Sequence, residues 1–301
     1  MAILSLQNVT KYYGTYKAND NISFEVPEGS IFGLLGPNGA GKSTLIRIIT
    51  NIIAADSGTI LINGEKQREA HHAIIGYMPE ERGLYKKMKV GEHLVYLARL
   101  KNLGSKGAKA KIEFWMDRFA ITDWWDKKIE ELSKGMQQKI QFIGTIVHDP
   151  KLLILDEPFS GLDPINSNLI KDEIYNLKEK GASIIFSTHR MEQVEEICEE
   201  IVLVNHGKLL LNGKVKDIRQ RFKKHRFSIH LENDIPLMIG DGRFQVIQQT
   251  HLEAIIQADE NAHANDLLKV LVEKEININA FHEVLPSIND IFIDQVTKAY
   301  S

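Results

Sequence analysis

The sequence predicts an α/β protein with a helical insertion in its first part and a smaller α+β module after it. Three observations predict this. Short, largely apolar runs at Ser30–Leu35, Leu152–Leu155 and Ser183–Phe186 have the length of buried strands. Helical spacings (Leu45, Ile46, Ile48, Ile49; then Leu169, Ile170, Ile174, Leu177) lie between them, and strand–helix–strand order implies parallel βαβ units. Strand alternation is absent between about residues 86 and 150 and restarts beyond a polar, basic segment at Asp217–Arg226. At about 150 residues per domain, 301 residues fit two domains. We place them at 1–216, with the helical part near 86–150, and at 217–301.

Leu4–Tyr12 and Ile22–Val26 carry the β-branched and aromatic residues of strands, with Gly14 and the polar run Lys17–Asn21 between them. Gly58–Asn63 reads as a strand ending in the turn pair Asn63-Gly64. In the insertion, Leu94, Leu97, Ala98 and Leu100 form one helical stripe, and Ile112, Trp115, Met116 and Phe119 another. Gly104-Ser105-Lys106-Gly107 reads as the loop between them. Ile201–Asn205 and Lys208–Leu211 form a hairpin around His206-Gly207. In the last module Phe227, Ile229 and Leu231 alternate, as do Phe244 with Val246, Ala254 with Ile256, and Ile278 with Ala280; Leu267, Leu268, Leu271 and Val272 are a helical stripe. Ser287-Ile288-Asn289-Asp290 resembles a capping box before a last helix.

Composition narrows the function classes. There are 37 Lys+Arg against 40 Asp+Glu, a net charge of −3, which argues against a dedicated nucleic-acid partner. Hydrophobic residues at 43% and charged residues at 26% exclude a disordered or collagen-like chain. The single cysteine, Cys198, cannot form an internal disulfide and points to a reducing compartment. No apolar run approaches the roughly 18 residues that cross a bilayer, and the start has no signal-peptide pattern, so a cytoplasmic location is expected.

Two motifs carry chemistry. Gly36-Pro37-Asn38-Gly39-Ala40-Gly41-Lys42-Ser43 satisfies GxxxxGK[ST] between a buried strand and a helix that Thr44 continues. Glycines let backbone N–H groups approach a triphosphate, and the helix start adds unpaired N–H groups and a positive dipole end. Lys42 adds charge near the β- and γ-phosphates, and the Ser43 hydroxyl suits Mg²⁺. Leu152–Leu155 then ends in Asp156-Glu157, at the carboxyl end of a strand where ligands sit in open α/β sheets. One carboxylate can hold Mg²⁺ and its neighbour can orient or deprotonate a water that attacks the γ-phosphate; alternation sends the two side chains different ways.

Three further segments narrow the field. Leu132-Ser133-Lys134-Gly135-Met136-Gln137-Gln138 resembles the LSGGQ signature of ATP-binding cassette (ABC) proteins, Ser160-Gly161-Leu162-Asp163 resembles their D-loop, and Ser187-Thr188-His189 resembles their switch-histidine segment. Tyr13 sits where the family stacks a ring on adenine. All five occur in the family's order over residues 1 to about 215, so the chain resembles an ABC transporter ATPase subunit. The tail, with Pro286–Phe292, is similar to that of a subgroup of bacterial sodium-efflux and drug-export ATPases.

The resemblance implies a P-loop cassette of mixed sheet plus helical subdomain, working as a homodimer or with a second cassette. ATP would lie between the phosphate loop of one subunit and Ser133, Gly135 and Asp163 of the other. Glu157 would be the general base, His189 would position the γ-phosphate and water, and Ser43, Asp156 and Glu80 would face Mg²⁺. An integral membrane permease would be the partner, with this chain peripheral on the inner face of the membrane. Leu84, Tyr85 and Met88 could line the groove for the permease or pack locally, and Trp115, Trp124 and Trp125 fit packing. There are departures. Glu80 stands where the family has glutamine, which puts metal affinity and partner coupling in question, and Lys134 and Met136 alter the signature. A non-transport ATPase clamp and a mainly regulatory nucleotide-binding module remain alternatives. Arg219, Arg221, Lys223, Lys224 and Arg226 read as a solvated face or a lipid contact. The C-terminal module is expected to serve dimer contact or regulation.

Overall fold

The computed structural model describes the backbone of residues 1–240 and 242–300 and the side chains of residues 1–240 and 242–297. The chain divides into two compact units, Met1–Lys214 and Val215–Ser301.

The first unit runs β1 (Ala2–Tyr13), β2 (Tyr16–Pro27), β3 (Ile31–Leu35), α1 (Lys42–Ile49), β4 (Ser57–Ile62), β5 (Glu65–Lys66), β6 (Ile75–Met78), α2 (Val90–Leu100), α3 (Ser105–Arg118), α4 (Lys134–Ile146), β7 (Leu152–Asp156), α5 (Pro164–Glu179), β8 (Ser183–Thr188), α6 (Met191–Ile197), β9 (Glu200–Asn205) and β10 (Lys208–Lys214). Six strands form one sheet in the order β10-β9-β3-β8-β7-β6. Neighbours from β9 to β6 run parallel and β10 is antiparallel to β9. Every residue of β3, β7 and β8 is buried, which explains their apolar runs. An antiparallel sheet in the order β2-β1-β4-β5 lies against them. Leu4, Val9, Ile22 and Val26 share one core with Leu45 and Ile49 of α1 and with Leu34, Ile154 and Val202 of the parallel strands.

The insertion is the three-helix set α2, α3 and α4. Leu94 and Ala98, Ile112 and Trp115, and Phe142 and Ile143 supply buried faces, consistent with the 3.6-residue period read from sequence. Trp115 is buried, and Trp125 lies half-buried against Gly91, so both serve packing.

Several local expectations need correction. The polar run Lys17–Asn21 does not separate two strands; it is part of β2, where Lys17 pairs Tyr12 and Asn19 pairs Lys11 of β1. Backbone pairing outweighs side-chain polarity there, and irregular register with Asn21 at φ 54 absorbs the misfit. Gly104–Gly107 is not a free loop. Gly104 caps α3, whose first turns are held by burial of Ala108 and Ile112. Neither β6 nor α6 was legible, because β6 is four residues long with a glycine and α6 has only seven residues.

The second unit contains α7 (Val215–Arg221), β11 (Arg226–Leu231), β12 (Phe244–Gln249), β13 (Glu253–Ala258), α8 (Ala264–Glu273), β14 (Ile278–Val284) and α9 (Ile288–Tyr300). Its antiparallel sheet has the order β12-β13-β11-β14. Phe227, Ile229, Ala254, Ile256 and Phe244 pack with Leu267 and Leu271 of α8 in a separate core. The capping box forms: Ser287 Oγ accepts the N–H of Asp290 at 3.0 Å, and Asp290 Oδ2 accepts that of Ser287 at 3.1 Å. The basic segment is not a linker. Arg219 donates to the carbonyls of Pro286 and Leu285, and Arg226 donates to Gln257.

Candidate functional site

The loop between β3 and α1 owes its path to residues without a β-carbon. Gly36 has φ 151, and a β-carbon there would lie 2.2 Å from the Val204 carbonyl oxygen in β9. Gly41 has φ 108, and a β-carbon would meet the Ala18 carbonyl oxygen of β2 at 2.4 Å. Both φ values disfavour any other residue. The loop is also buttressed from outside. Gly207, in the β9–β10 turn, donates its N–H to Ala40 at 2.9 Å, and Asn19 Nδ2 donates to the Gly41 carbonyl at 3.2 Å. Helix α1 begins without a side-chain cap and without an acidic residue in its first turn, leaving its positive end to face the pocket.

Lys42 is buried and bonds its own loop: Nζ donates to the carbonyls of Gly36 at 2.7 Å and Pro37 at 3.1 Å. Burial lowers its pKa from the ordinary lysine range, opposed by the charges of Glu157, Asp156 and Glu80. Asp156, the last residue of β7, is 5% exposed. Burial raises its pKa, with neighbouring Glu80 and Glu157 adding to the rise and Lys42 opposing it. Glu157 leaves the strand at φ 50, held by its N–H to the Ser187 carbonyl at 2.9 Å. Strand alternation therefore does not separate the two carboxylates; this left-handed residue turns the chain, and both side chains line one pocket.

That pocket, about 240 Å³, is bounded by Tyr13 and Tyr16, loop and helix residues Asn38 to Thr44, and the acids Glu80, Asp156 and Glu157. Ser43 also lines it, next to Lys42 in the chain. Among the expected metal-facing residues, Ser43, Asp156 and Glu80 offer only hard oxygen donors, the kind that Mg²⁺ takes. The close backbone cradle and Lys42 fit a polyphosphate. The donor set thus fits Mg²⁺ with a nucleoside triphosphate. Tyr13 and Tyr16 are both about half exposed at the pocket mouth. Tyr16 was missed in the sequence, although Tyr13-Gly14-Thr15-Tyr16 is a hairpin tip that brings two rings together.

His189 meets Glu157 directly. Its backbone N–H donates to Glu157 Oε1 at 2.8 Å and its Nδ1 lies 2.6 Å from the same oxygen. The backbone and the ring of His189 thus converge on one oxygen of the carboxylate. Ser133, Gly135 and Asp163 do not line the pocket. Ser133 caps α4, accepting from the Met136 N–H at 3.3 Å, and Asp163 caps α5, accepting from Asn166 at 2.9 Å. These two helix starts adjoin one another, since a β-carbon on Gly135 would lie 3.5 Å from Leu162. Arg82 ties them to the segment after Glu80, with Nε to Gln138 Oε1 at 3.0 Å and Nη2 to the Ser160 carbonyl at 3.4 Å.

A second pocket, about 290 Å³, lies between the sheet core and the helical part, with Leu84, Leu97 and Leu100 on its walls and His93 and Gln141 within it. Tyr85 is exposed and packs edge-on against His93 and Tyr96. Cys198 is buried beside Gly33, and burial pushes its thiol well above the ordinary range, so it is inert packing.

The comparisons agree with this geometry. A family described as ABC transporter matches residues 19–160, and one described as ATP-binding protein DrrA1-3-like, C-terminal domain, matches residues 213–296. The chain is 44% identical over 298 residues to the uncharacterized ABC transporter ATP-binding protein YhaQ of Bacillus subtilis (strain 168), covering 99% of this chain and 100% of that relative. It is 32% identical over 284 residues to the linearmycin resistance ATP-binding protein LnrL of the same organism, with 93% and 86% covered. A solved ATP binding subunit of an ABC transporter matches with a TM-score of 0.69 at 30% identity, over 73% of this chain and 93% of that one. At 44% identity over almost its whole length to one of them, the chain belongs to the ATP-binding subunits of ABC transporters.

Proposed function

We propose that the chain binds ATP with Mg²⁺ and hydrolyses it to drive export through a separate integral membrane subunit. The observation that carries this reading is the single pocket shared by the phosphate loop, Lys42 and the Asp156–Glu157 pair. Lys42 and the open start of α1 bind the phosphates, while Tyr13, joined by Tyr16, stacks on the base. Ser43 and Asp156 hold Mg²⁺, with Glu80 beside them. When bound there, the ion would supply positive charge against the phosphate oxygens. Glu157 takes the proton of the attacking water, and His189 positions that water and the γ-phosphate.

Ser133, Gly135 and Asp163 lie outside the pocket that holds the phosphate loop, which supports a role at the ATP of a second cassette in a head-to-tail dimer. The γ-phosphate then closes the dimer, and its loss lets the dimer open. Residues 1–216 would act as the ATPase and 217–301 as an accessory module. Among the described residues no helix is long and apolar enough to cross a membrane, and the pore in this reading is a separate chain. Its cytoplasmic segment would seat in the apolar pocket around Leu84 and Leu97, which holds this subunit against the inner face of the membrane. Export as the direction is supported by the relative named for linearmycin resistance.

Glu157→Gln tests the reading. ATP binding by the purified chain is expected to persist while phosphate release falls by about a hundredfold or more, the usual span for a lost general base. Wild-type turnover in that variant would remove Glu157 from the role of base.

A further inference from the structure

Both oxygens of the Glu157 carboxylate are engaged, and by groups of different freedom. Oε1 lies against the backbone N–H of His189 and against its Nδ1, which belongs to a side chain that is 46% exposed. Oε2 receives the hydroxyl of Thr188 at 3.0 Å, and Thr188 is wholly buried at the end of β8. The direction of that hydroxyl is set by a second bond. Thr188 Oγ1 accepts the N–H of Arg190 at 3.1 Å, which leaves its proton to point at an acceptor. Glu157 Oε2 is the nearer one, ahead of Gln193 Oε1 at 3.5 Å. A β-branched side chain on a strand also has few rotamers to choose from.

A glutamate is a flexible base, and a misplacement of about 1 Å costs a large factor in rate. The left-handed backbone of Glu157, just after β7, turns the side chain into the pocket, but rotation about its side-chain bonds leaves the carboxyl group to be fixed by its contacts. We propose that Thr188 is a positioning residue for hydrolysis. It holds Oε2 fixed, so that Oε1 is presented to the attacking water when the His189 ring turns from it. This rests on the reading of Glu157 as the base. In that step the water oxygen bonds to the γ-phosphorus, the bond from that phosphorus to the bridging oxygen of ADP breaks, and the water proton passes to Oε1. Thr188 does not line the nucleotide pocket and acts only through Glu157.

The test is steady-state phosphate release by the purified full chain across ATP concentrations, with nucleotide affinity measured in parallel. Thr188→Val keeps the shape and removes the hydroxyl. Its kcat is expected to fall about tenfold or more, the worth of one hydrogen bond to a charged group, with KM and ATP affinity unchanged. Thr188→Ser, which keeps the hydroxyl, restores most of the rate. Thr188→Val combined with Glu157→Gln is expected to be no slower than Glu157→Gln alone, since the effect passes through the carboxylate. Should the valine variant not fold, Thr188→Ala carries the same comparison. Wild-type kcat in Thr188→Val, a serine variant as slow as the valine variant, or a further loss in the double variant would each overturn the proposal. Wild-type turnover in Glu157→Gln would instead overturn the base reading itself, whatever the Thr188 variants do.

Discussion

At the scale of single residues, burial decides how charge is used. Lys42 bonds two carbonyls of its own loop, and desolvation lowers its pKa. A polyphosphate offers that ammonium a stronger partner than either carbonyl. Two histidines in the helical part show the cost of burial, His93 with no hydrogen-bond partner and His148 with its Nε2 3.1 Å from the Ile75 carbonyl. Neither ring nitrogen of His93 has a hydrogen-bond partner, and burial pushes its pKa down to about 4; burial also pushes His148 down to about 4, with Lys101 adding to the fall. Both therefore fold as neutral imidazoles. Since the folded pKa lies below the unfolded value of about 6.5, their contribution is complete above about pH 6.5 and is lost as the pH falls through about 4. Each shift corresponds to about 3 kcal/mol when the loss is complete. Thermal melts between pH 7 and pH 4 are expected to show the fall, and His93→Leu should make it shallower. An unchanged pH dependence in that variant would count against His93 as a source. Lys42, Ser43, Asp156 and Glu157 were legible in sequence because each sits inside a contiguous motif. Tyr16, Thr188 and Arg82 were not read as site residues, since their partners are 23, 31 and up to 78 positions away.

At the scale of elements, the site is held together by ties between segments distant in sequence. Arg82 follows Glu80 and reaches both Gln138 of α4 and the carbonyl of Ser160 before α5. Gln138 in turn donates to the Pro158 carbonyl at 2.9 Å, just beyond the carboxylate pair. Arg82→Ala removes one corner of this network. Hydrogen exchange is expected to rise at residues 134–138 and 158–162, and turnover to fall severalfold with ATP affinity kept. Unaltered exchange in both segments would show that Arg82 does not tie them. The longer helices and the fully buried strands were readable because period and apolarity are local. The path of β2 through Lys17–Asn21 was not, because the pairing to β1 that overrides those polar side chains is invisible to a window along the chain.

At the scale of the whole molecule, each unit has its own core, in the first around Leu34, Leu45 and Ile154 and in the second around Ile229, Ile256 and Leu267. A chain ending at Lys214 keeps every strand of the first unit. It is expected to fold, with a cooperative melt, and to bind ATP. ATP-driven dimerisation, followed by light scattering in the Glu157→Gln background, is expected to weaken if the second unit contributes to dimer contact. Equal dimerisation of the short and full chains would remove that role.

The sequence by itself determined the family through a phosphate loop, a strand ending in two acids, and three further segments in order, each a short local pattern that can be read without distant residues. It also determined two regions of different periodicity. Tertiary structure decided how those pieces act on one another. It turned Glu157 through left-handed backbone into the pocket of Asp156, set Thr188 and His189 on opposite oxygens of its carboxylate, wedged Gly36 against Val204, and made the basic segment at 217–226 a bonded part of the second unit. The physical reason is that hydrogen bonds and burial are settled by neighbours in space, and in this chain most neighbours of the site come from strands far apart in sequence.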